Sequence, residues 1–377
     1  MHIAILANDV VPGMGLPVAA PGLRAWGLAL GLRRDGHRVT VIVEQWLVRQ
    51  LWSEDLPPPL PPQTMLLRAK QVAKYCATND VDALVITNSN HISKLGKLGR
   101  TRLVYDFFAP KMLELAENVE RDDLEEARAE LEHKKCLALS RSDLVVVNGV
   151  KKLDYVQEWL DRSGVPDLPV AVVNPGVPFA APAPPDGGKL RVMVSGYLQP
   201  WSKPGAWLDA VLPLLDEGLI ELHVIVGKHW AQRSSTEEMP EGMARLAEHP
   251  AVVSHPLLRF GDFRRLQTTC HLAIDVFSRN PERELAMVTR SVVALSCGLP
   301  VMHVRFTEVS PWIEEHDAGW LVDEEDAVEM ERILREVALD RSLLDVKRAG
   351  AVAIAQGVLD PVTAAQPLLD LLEAAAP

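Results

Sequence analysis

Short apolar runs alternate with amphipathic stretches along the whole chain, the pattern of parallel strands joined by crossover helices. In the first half, runs at 2–7, 39–43, 83–87, 103–107, 144–147 and 170–173 predict strands. Helices are predicted at 22–35, closed by Gly36 as a C-cap, and at about 122–140, where Glu, Arg and Lys dominate. In the second half, strands are predicted at 191–195, 221–226, 252–254, 272–277, 301–304 and 319–322. The tail, 361–375, reads as an amphipathic helix opened by Pro361. Between the halves lies a Pro/Gly-rich stretch, AAPAPPDGG at 180–188, after which a new apolar run begins. PPPLPP at 57–62 is expected to be a stiff loop inside the first half, not a boundary.

The predicted fold class is therefore α/β: two tandem Rossmann-like domains with an interdomain cleft. The expected division is an N-terminal domain over 1–178, a linker over 179–189, a C-terminal domain over 190–356, and a terminal helix over 357–377 that packs back on the first domain. Open sheets of this kind bind ligands beyond the carboxyl ends of their strands, where the strand order reverses. That expectation concerns position and says nothing yet of chemistry.

Composition narrows the partners. The chain has 377 residues and a net charge of −12, which argues against a nucleic-acid binder driven by phosphate contacts. Cys76, Cys136, Cys270 and Cys297 are scattered and form no CxxC pair, so neither a zinc site nor a disulfide framework is expected. The opening MHIAILA reads as a strand without a basic leader, and no apolar run approaches a bilayer span. A soluble, cytoplasmic protein is expected. One basic run, Lys94 to Arg102, offers a peripheral contact with the inner face of a membrane; its plainer reading is a solvated loop.

The chemistry-bearing features cluster in the second half. Gly196 ends the first strand there and Lys203 follows closely. A bare backbone admits phosphate oxygens and an ammonium offsets their charge, so this pair suits a nucleoside diphosphate. Arg290, opening a helical run, is a second cation for the same role. The loop Pro12-Gly13-Met14-Gly15 lacks the third glycine of a dinucleotide fingerprint, since Val18 stands in its place. Asp80-Val81-Asp82 matches the letters of a metal motif, but at a helix-to-strand junction of the first half. Metal independence is therefore expected.

Several segments, in order, resemble retaining family-4-type glycosyltransferases of the GT-B fold. These are PGLRAWGLA at 21–29 with GHRVTV at 36–41, VYDFFAP at 104–110, and NPGV at 174–177. Gly196 with Lys203, and TR at 289–290 leading to ALSCGLPV at 294–301, complete the set. The resemblance implies a hexosyltransferase that moves a sugar from a nucleotide-diphosphate sugar, its co-substrate, to a hydroxyl acceptor, with no further cofactor. The acceptor would be a carbohydrate, a lipid-linked molecule or a small molecule, bound by the first domain, with the donor on the second.

Under that resemblance Lys203 and Arg290 stabilise the leaving diphosphate, and Gly196 lets it approach. Glu284 grips donor hydroxyls, while Met287, Val288 and Thr289 offer backbone amides to phosphate. Gly15 reaches toward the donor. Gly13, Arg24, His91 and Asp106 are placed on the acceptor side, with Asp106 also a candidate general base. The chain departs from the family in one respect. The usual pair of glutamates with seven residues between them is missing, with Val293 at the second position and Glu284 one place from the first. Tyr105 likewise replaces the histidine of a family His-Asp pair. Two other readings stay open on that account: a GT-B sugar-nucleotide epimerase, and a catalytically degenerate glycosyltransferase-like binding subunit.

Overall fold

A computed structural model describes residues 1–52, 58–116, 124–185, 187–197, 205–227 and 246–375. The chain divides into two compact units. The first is Met1–Gly176 together with Val358–Pro377, and the second is Val177–Gly357.

The first unit is built on seven strands: β1 (His2–Ala7), β2 (Arg38–Glu44), β3 (Thr64–Leu67), β4 (Ala83–Ile86), β5 (Arg102–Asp106), β6 (Leu144–Val147) and β7 (Val170–Val172). All neighbours pair in parallel, in the order β3-β2-β1-β4-β5-β6-β7. The order reverses between β1 and β4, which makes that gap the unit's switch point. Every residue of β1, β4 and β6 is buried, as expected of strands covered on both faces. β3 was not anticipated from sequence. It is a four-residue edge strand directly after the proline-rich loop, too short and uniform to show a period.

The second unit carries β8 (Leu190–Tyr197), β9 (Ile220–Gly227), β10 (Val252–His255), β11 (Leu272–Asp275), β12 (Val301–Val304) and β13 (Gly319–Val322). They form a parallel sheet in the order β10-β9-β8-β11-β12-β13. Its switch point lies between β8 and β11, directly after the strand that ends at Gly196 and Tyr197. The α/β class and the two parallel sheets thus match the sequence expectation.

The helix Ala20–Arg34, which follows β1, organises the first unit through three glycines. A Cβ on Gly22 would lie 1.8 Å from the Val10 carbonyl oxygen, and one on Gly27 would lie 2.0 Å from that of Gly176. One on Gly31 would lie 1.9 Å from the Pro361 carbonyl oxygen. Backbone therefore meets backbone where any side chain would intrude. The C-terminal helix Pro361–Ala374 sits in this seam, its amino end capped by Asp360, which accepts from Val362 N at 3.0 Å and Thr363 N at 3.2 Å. Its buried face is Ala364, Ala365, Leu368, Leu369 and Leu372.

Replacing Gly27 with Ala is expected to lower the unfolding free energy by about 3 kcal/mol, the scale of a severe overpacking. Chemical denaturation would measure it. An unchanged midpoint and slope would show that the helix and the 174–176 segment separate at no cost.

Candidate functional site

The first unit gathers polar residues at the carboxyl edge of its sheet. Asp106 ends β5 and is engaged by Arg24 of the helix Ala20–Arg34. Arg24 Nε donates to Asp106 Oδ2 at 2.9 Å and Nη2 to Oδ1 at 3.2 Å. Arg24 Nη1 donates further to the carbonyls of Val173 at 2.6 Å and Asn174 at 2.8 Å. The two side chains are 1% and 0% exposed. This geometry uses both candidates on each other. Both carboxylate oxygens of Asp106 are filled by one guanidinium, and Arg24 faces protein carbonyls, not an external phosphate. The pair ties β5, the first helix and the segment after β7 together.

The other acceptor-side candidates lie on loops of the same unit. Gly13 and Gly15 follow β1, Gly13 against Pro61 and Gly15 against Pro59 and Trp52. His91 sits in the 3-10 turn Ser89–Lys94 after β4, next to the switch point, and burial pushes its pKa below the usual imidazole range. Its Nδ1 is buried without a hydrogen-bond partner. Asp80 and Asp82 belong to the opposite, amino edge. Asp80 pairs with Arg100, and Asp82 Oδ2 accepts from the His2 backbone at 2.7 Å. In the basic run, Arg100 is thus taken by Asp80 and Arg102 donates to the Leu372 carbonyl, while Lys94 and Lys97 are exposed.

The second unit's carboxyl edge has a more open centre. Gly196, near the end of β8, has φ +154°, a backbone setting that favours glycine. Arg290, the second residue of the helix Thr289–Ser296, lies across it. A Cβ on Gly196 would stand 2.4 Å from Arg290 Nη1 and 3.0 Å from its Cδ. The space that the missing side chain leaves is thus filled by the arginine. Arg290 Nη1 donates to the Ser195 carbonyl at 3.3 Å, and Nη2 meets Asp275 Oδ1 at 2.8 Å at the end of β11. The guanidinium also lies 5.6 Å from the Phe277 ring centroid. It bridges the two strands that flank the switch point, and 26% of its side chain stays exposed.

Behind Arg290 runs a buried polar chain that sequence reading missed. Ser291 Oγ donates to Asp275 Oδ2 at 2.6 Å and lies 3.1 Å from His303 Nδ1. His303 Nε2 is 2.8 Å from Thr307 Oγ1, which is 3.0 Å from Ser310 Oγ. Since the Ser291 proton goes to Asp275, the network assigns the His303 proton to Nδ1, with Thr307 donating to Nε2. Burial holds the His303 pKa down to about 4, although Asp275 opposes the shift. A neutral imidazole therefore passes rigidity, not charge, to Asp275 and so to Arg290. The only sequence signal was the run of Ser, His and Thr at positions otherwise reading as core.

Of the remaining donor-side candidates, Met287 and Val288 are buried, and Val288 precedes the helix Thr289–Ser296 as its N-cap. Its N-cap residue makes no side-chain cap hydrogen bond, so the amides of the first turn, beginning at Thr289, lack that acceptor. Glu284 ends the short helix Pro281–Glu284 and pairs with Arg279, Nε to Oε1 at 2.5 Å, with 43% of its side chain exposed. Glu282 is instead buried in an ion pair with Arg283. Val293 is 2% exposed in the core, so the position holds no carboxylate in any sense. Lys203 lies outside the described residues, as does Trp201. Among the described residues no three His, Cys, Asp or Glu side chains group as metal ligands, and no helix is long and apolar enough to cross a membrane.

Three solved structures share this architecture over their whole length. HepE of Anabaena, solved with UDP and glucose, matches at a TM-score of 0.67 and 16% identity, covering 99% of this chain and 100% of HepE. Sucrose-phosphate synthase of Thermosynechococcus elongatus matches at 0.65 and 14%, covering 100% of both chains. An α-glucosyltransferase solved with UDP and a 13-mer DNA containing an HMU base matches at 0.63 and 12%, covering 99% of both. No protein-family description matches the chain, and no curated protein sequence does. At these identities the likeness establishes the fold: this chain has the GT-B architecture of two parallel α/β units.

Replacing Asp106 with Asn should leave the Arg24 guanidinium buried without a counter-charge and lower stability by about 3–5 kcal/mol. The double change Arg24→Met, Asp106→Leu should recover much of the loss in urea denaturation. Equal losses in the single and double variants would show that the pair is not coupled.

His303 also predicts an acid response. Its folded-state pKa of about 4 is below the ordinary 6.5, so the stability from its neutral form is complete above about pH 6.5. That contribution is lost as pH falls through 6.5 toward 4. A His303→Gln variant should lose roughly 2–4 kcal/mol less than wild type over this window. Parallel stability-against-pH curves for the two proteins would refute the assignment.

Proposed function

We propose that the protein is a glycosyltransferase that moves a hexosyl group from a nucleoside-diphosphate sugar to a hydroxyl acceptor. The donor belongs to the second unit and the acceptor to the first. The observation that carries this reading is Arg290, fixed across the β8/β11 switch point by Asp275 and Ser195 and still partly open. A guanidinium has five N–H donors, and those not used by protein are preorganised for a diphosphate. The uncapped helix Thr289–Ser296 adds amides of matching polarity beside it. The likeness to structures solved with UDP and UDP-glucose supports the same donor class.

In the reaction, charge builds on the diphosphate as its bond to the anomeric carbon breaks. Arg290 stabilises that charge without reorganising, because Asp275, Ser291 and His303 hold it in place beforehand. Gly196 acts through the same residue by leaving room for it, so its part is to seat the arginine. Glu284, once freed from Arg279, supplies a carboxylate for donor hydroxyls, and Lys203 adds a second cation. With Asp106 committed to Arg24, the acceptor proton passes to the leaving phosphate, which accords with retention at the anomeric carbon and with metal-independent turnover. The acceptor is a carbohydrate, a lipid-linked molecule or a small molecule. One structural neighbour was solved with DNA, but the net charge of −12 opposes a nucleic-acid acceptor here.

A thermal-shift screen of UDP, GDP, TDP and ADP with their sugar forms should show selective stabilisation by one base. Arg290→Ala should abolish that shift, and Gly196→Ala should reduce it by displacing the arginine. With the donor found, Arg290→Lys should lower kcat/KM about 100-fold, and Mg²⁺ removal should leave it unchanged. No stabilisation by any nucleotide would overturn the proposal. Release of nucleoside diphosphate without sugar transfer would point to an epimerase.

A further inference from the structure

The helix Leu124–Arg141 looks from its sequence like a solvated surface helix, yet its Lys135 is 2% exposed. The Lys135 ammonium lies 4.2 Å from the Phe107 ring centroid, 4.5 Å from that of Trp159 and 5.2 Å from that of Tyr155. Three ring faces supply cation–π attraction but no hydrogen-bond acceptor, and among the described residues Lys135 Nζ has no hydrogen-bond partner. A buried ammonium with all three donors empty is costly, and the cost falls if an acceptor arrives from outside. Such an opening exists. Lys135 lines a recess at the carboxyl ends of β4 and β5 with Asn88, Tyr105, Lys111 and Leu131.

The other polar groups of the recess are already used. Asp106 is filled by Arg24, Asn88 accepts from Asn90 N, and Tyr105 is hydrogen-bonded to Ser89. Lys111 reaches the recess from the helix Lys111–Ala116, and Glu114 of that helix lies near enough to act on both lysines. With Asp106 balanced by Arg24, the charged groups of the recess among the described residues are two lysines and the Glu114 carboxylate, a balance that favours an added anion.

We propose that this recess is an oxyanion subsite in which Lys135 and Lys111 receive a compact phosphate or carboxylate group. Its place in the unit assigned to the acceptor makes the acceptor the carrier of that group; this last step rests on the proposed function, whereas oxyanion binding itself does not. The rings hold the amine in position and leave its protons for the ligand. In the free protein, burial and the Lys111 charge bring the Lys135 pKa down to about 7, with Glu114 opposing. The phenols that face it, Tyr105 and Tyr155, have pKa values pushed up by burial and stay neutral, and Cys136 is its neighbour on its own helix. A bound oxyanion would draw the proton back, so affinity should fall as pH rises above about 7.

The test is a titration of the full chain with inorganic phosphate at constant ionic strength, followed by thermal unfolding, with acetate as a parallel series. Wild type should show a Tm that rises with the logarithm of phosphate concentration, by about 2–4 °C at several times the dissociation constant, and less at pH 9 than at pH 6.5. Lys135→Met should abolish that increment while keeping or raising the Tm measured without phosphate. General salt stabilisation would persist in the variant, so the difference between the two proteins is the readout. If Lys135→Met does not fold, Lys111→Met provides the same comparison. The relative response to phosphate and acetate tells which oxyanion the site prefers. Equal phosphate responses in wild type and variant, or none in either, would overturn the subsite. Because no nucleotide is used, the result does not depend on whether sugar transfer is confirmed.

Discussion

The first unit hangs on one buried interaction, the two-pronged pair between Arg24 and Asp106. It closes the carboxyl edge of the sheet by joining a helix that follows β1 to the end of β5 and to the carbonyls after β7. Desolvating a guanidinium is tolerable there only because four acceptors meet it. Arg24 stands on the same helix as the glycine seam that receives the C-terminal helix. The recess containing Lys135 borders the same aspartate, so its shape depends on the pair as well.

The second unit repeats the chemical theme with a different balance. Arg290 and Asp275 also close a carboxyl edge, but at the switch point and with the arginine partly open. Arg24 is walled in by protein carbonyls, whereas Arg290 is held through Asp275, which Ser291 and His303 brace from behind, and leaves part of its side chain exposed. The same residue types thus make a fully buried pair in one unit and a half-open one in the other. What separates them is exposure.

Much of the architecture was legible in the sequence because parallel strands are buried on both faces and read as unbroken apolar runs. The predicted strands at 2–7, 144–147, 301–304 and 319–322 coincide with β1, β6, β12 and β13. β3 escaped because four residues beside a proline-rich loop carry no period. Side-chain partnerships were not legible where they span long separations. Arg24 and Asp106 are each ordinary in local sequence, and their pairing exists only once β5 is laid beside β4. Lys135 was hidden for the opposite reason, since its neighbours in sequence are charged and its aromatic partners come from β5's end and from the helix Leu153–Arg162. Position on an α/β scaffold singled out Gly196 and Arg290 separately, but not the fact that one occupies the space left by the other.

The glycine seam has a further consequence for chain topology. The backbone leaves the first unit after Gly176 and re-enters it at Val358, and a Cβ on Gly176 would stand only 2.9 Å from the Cα of Pro361. Exit and re-entry are thus adjacent within the first unit, so in connectivity residues 177–357 are an insertion into it. A sequence of 377 residues that reads as two halves in series is, in connectivity, one domain nested inside another. A turn of a few residues could join Gly176 to the start of the C-terminal helix, making the outer domain separable from its guest by excision instead of truncation.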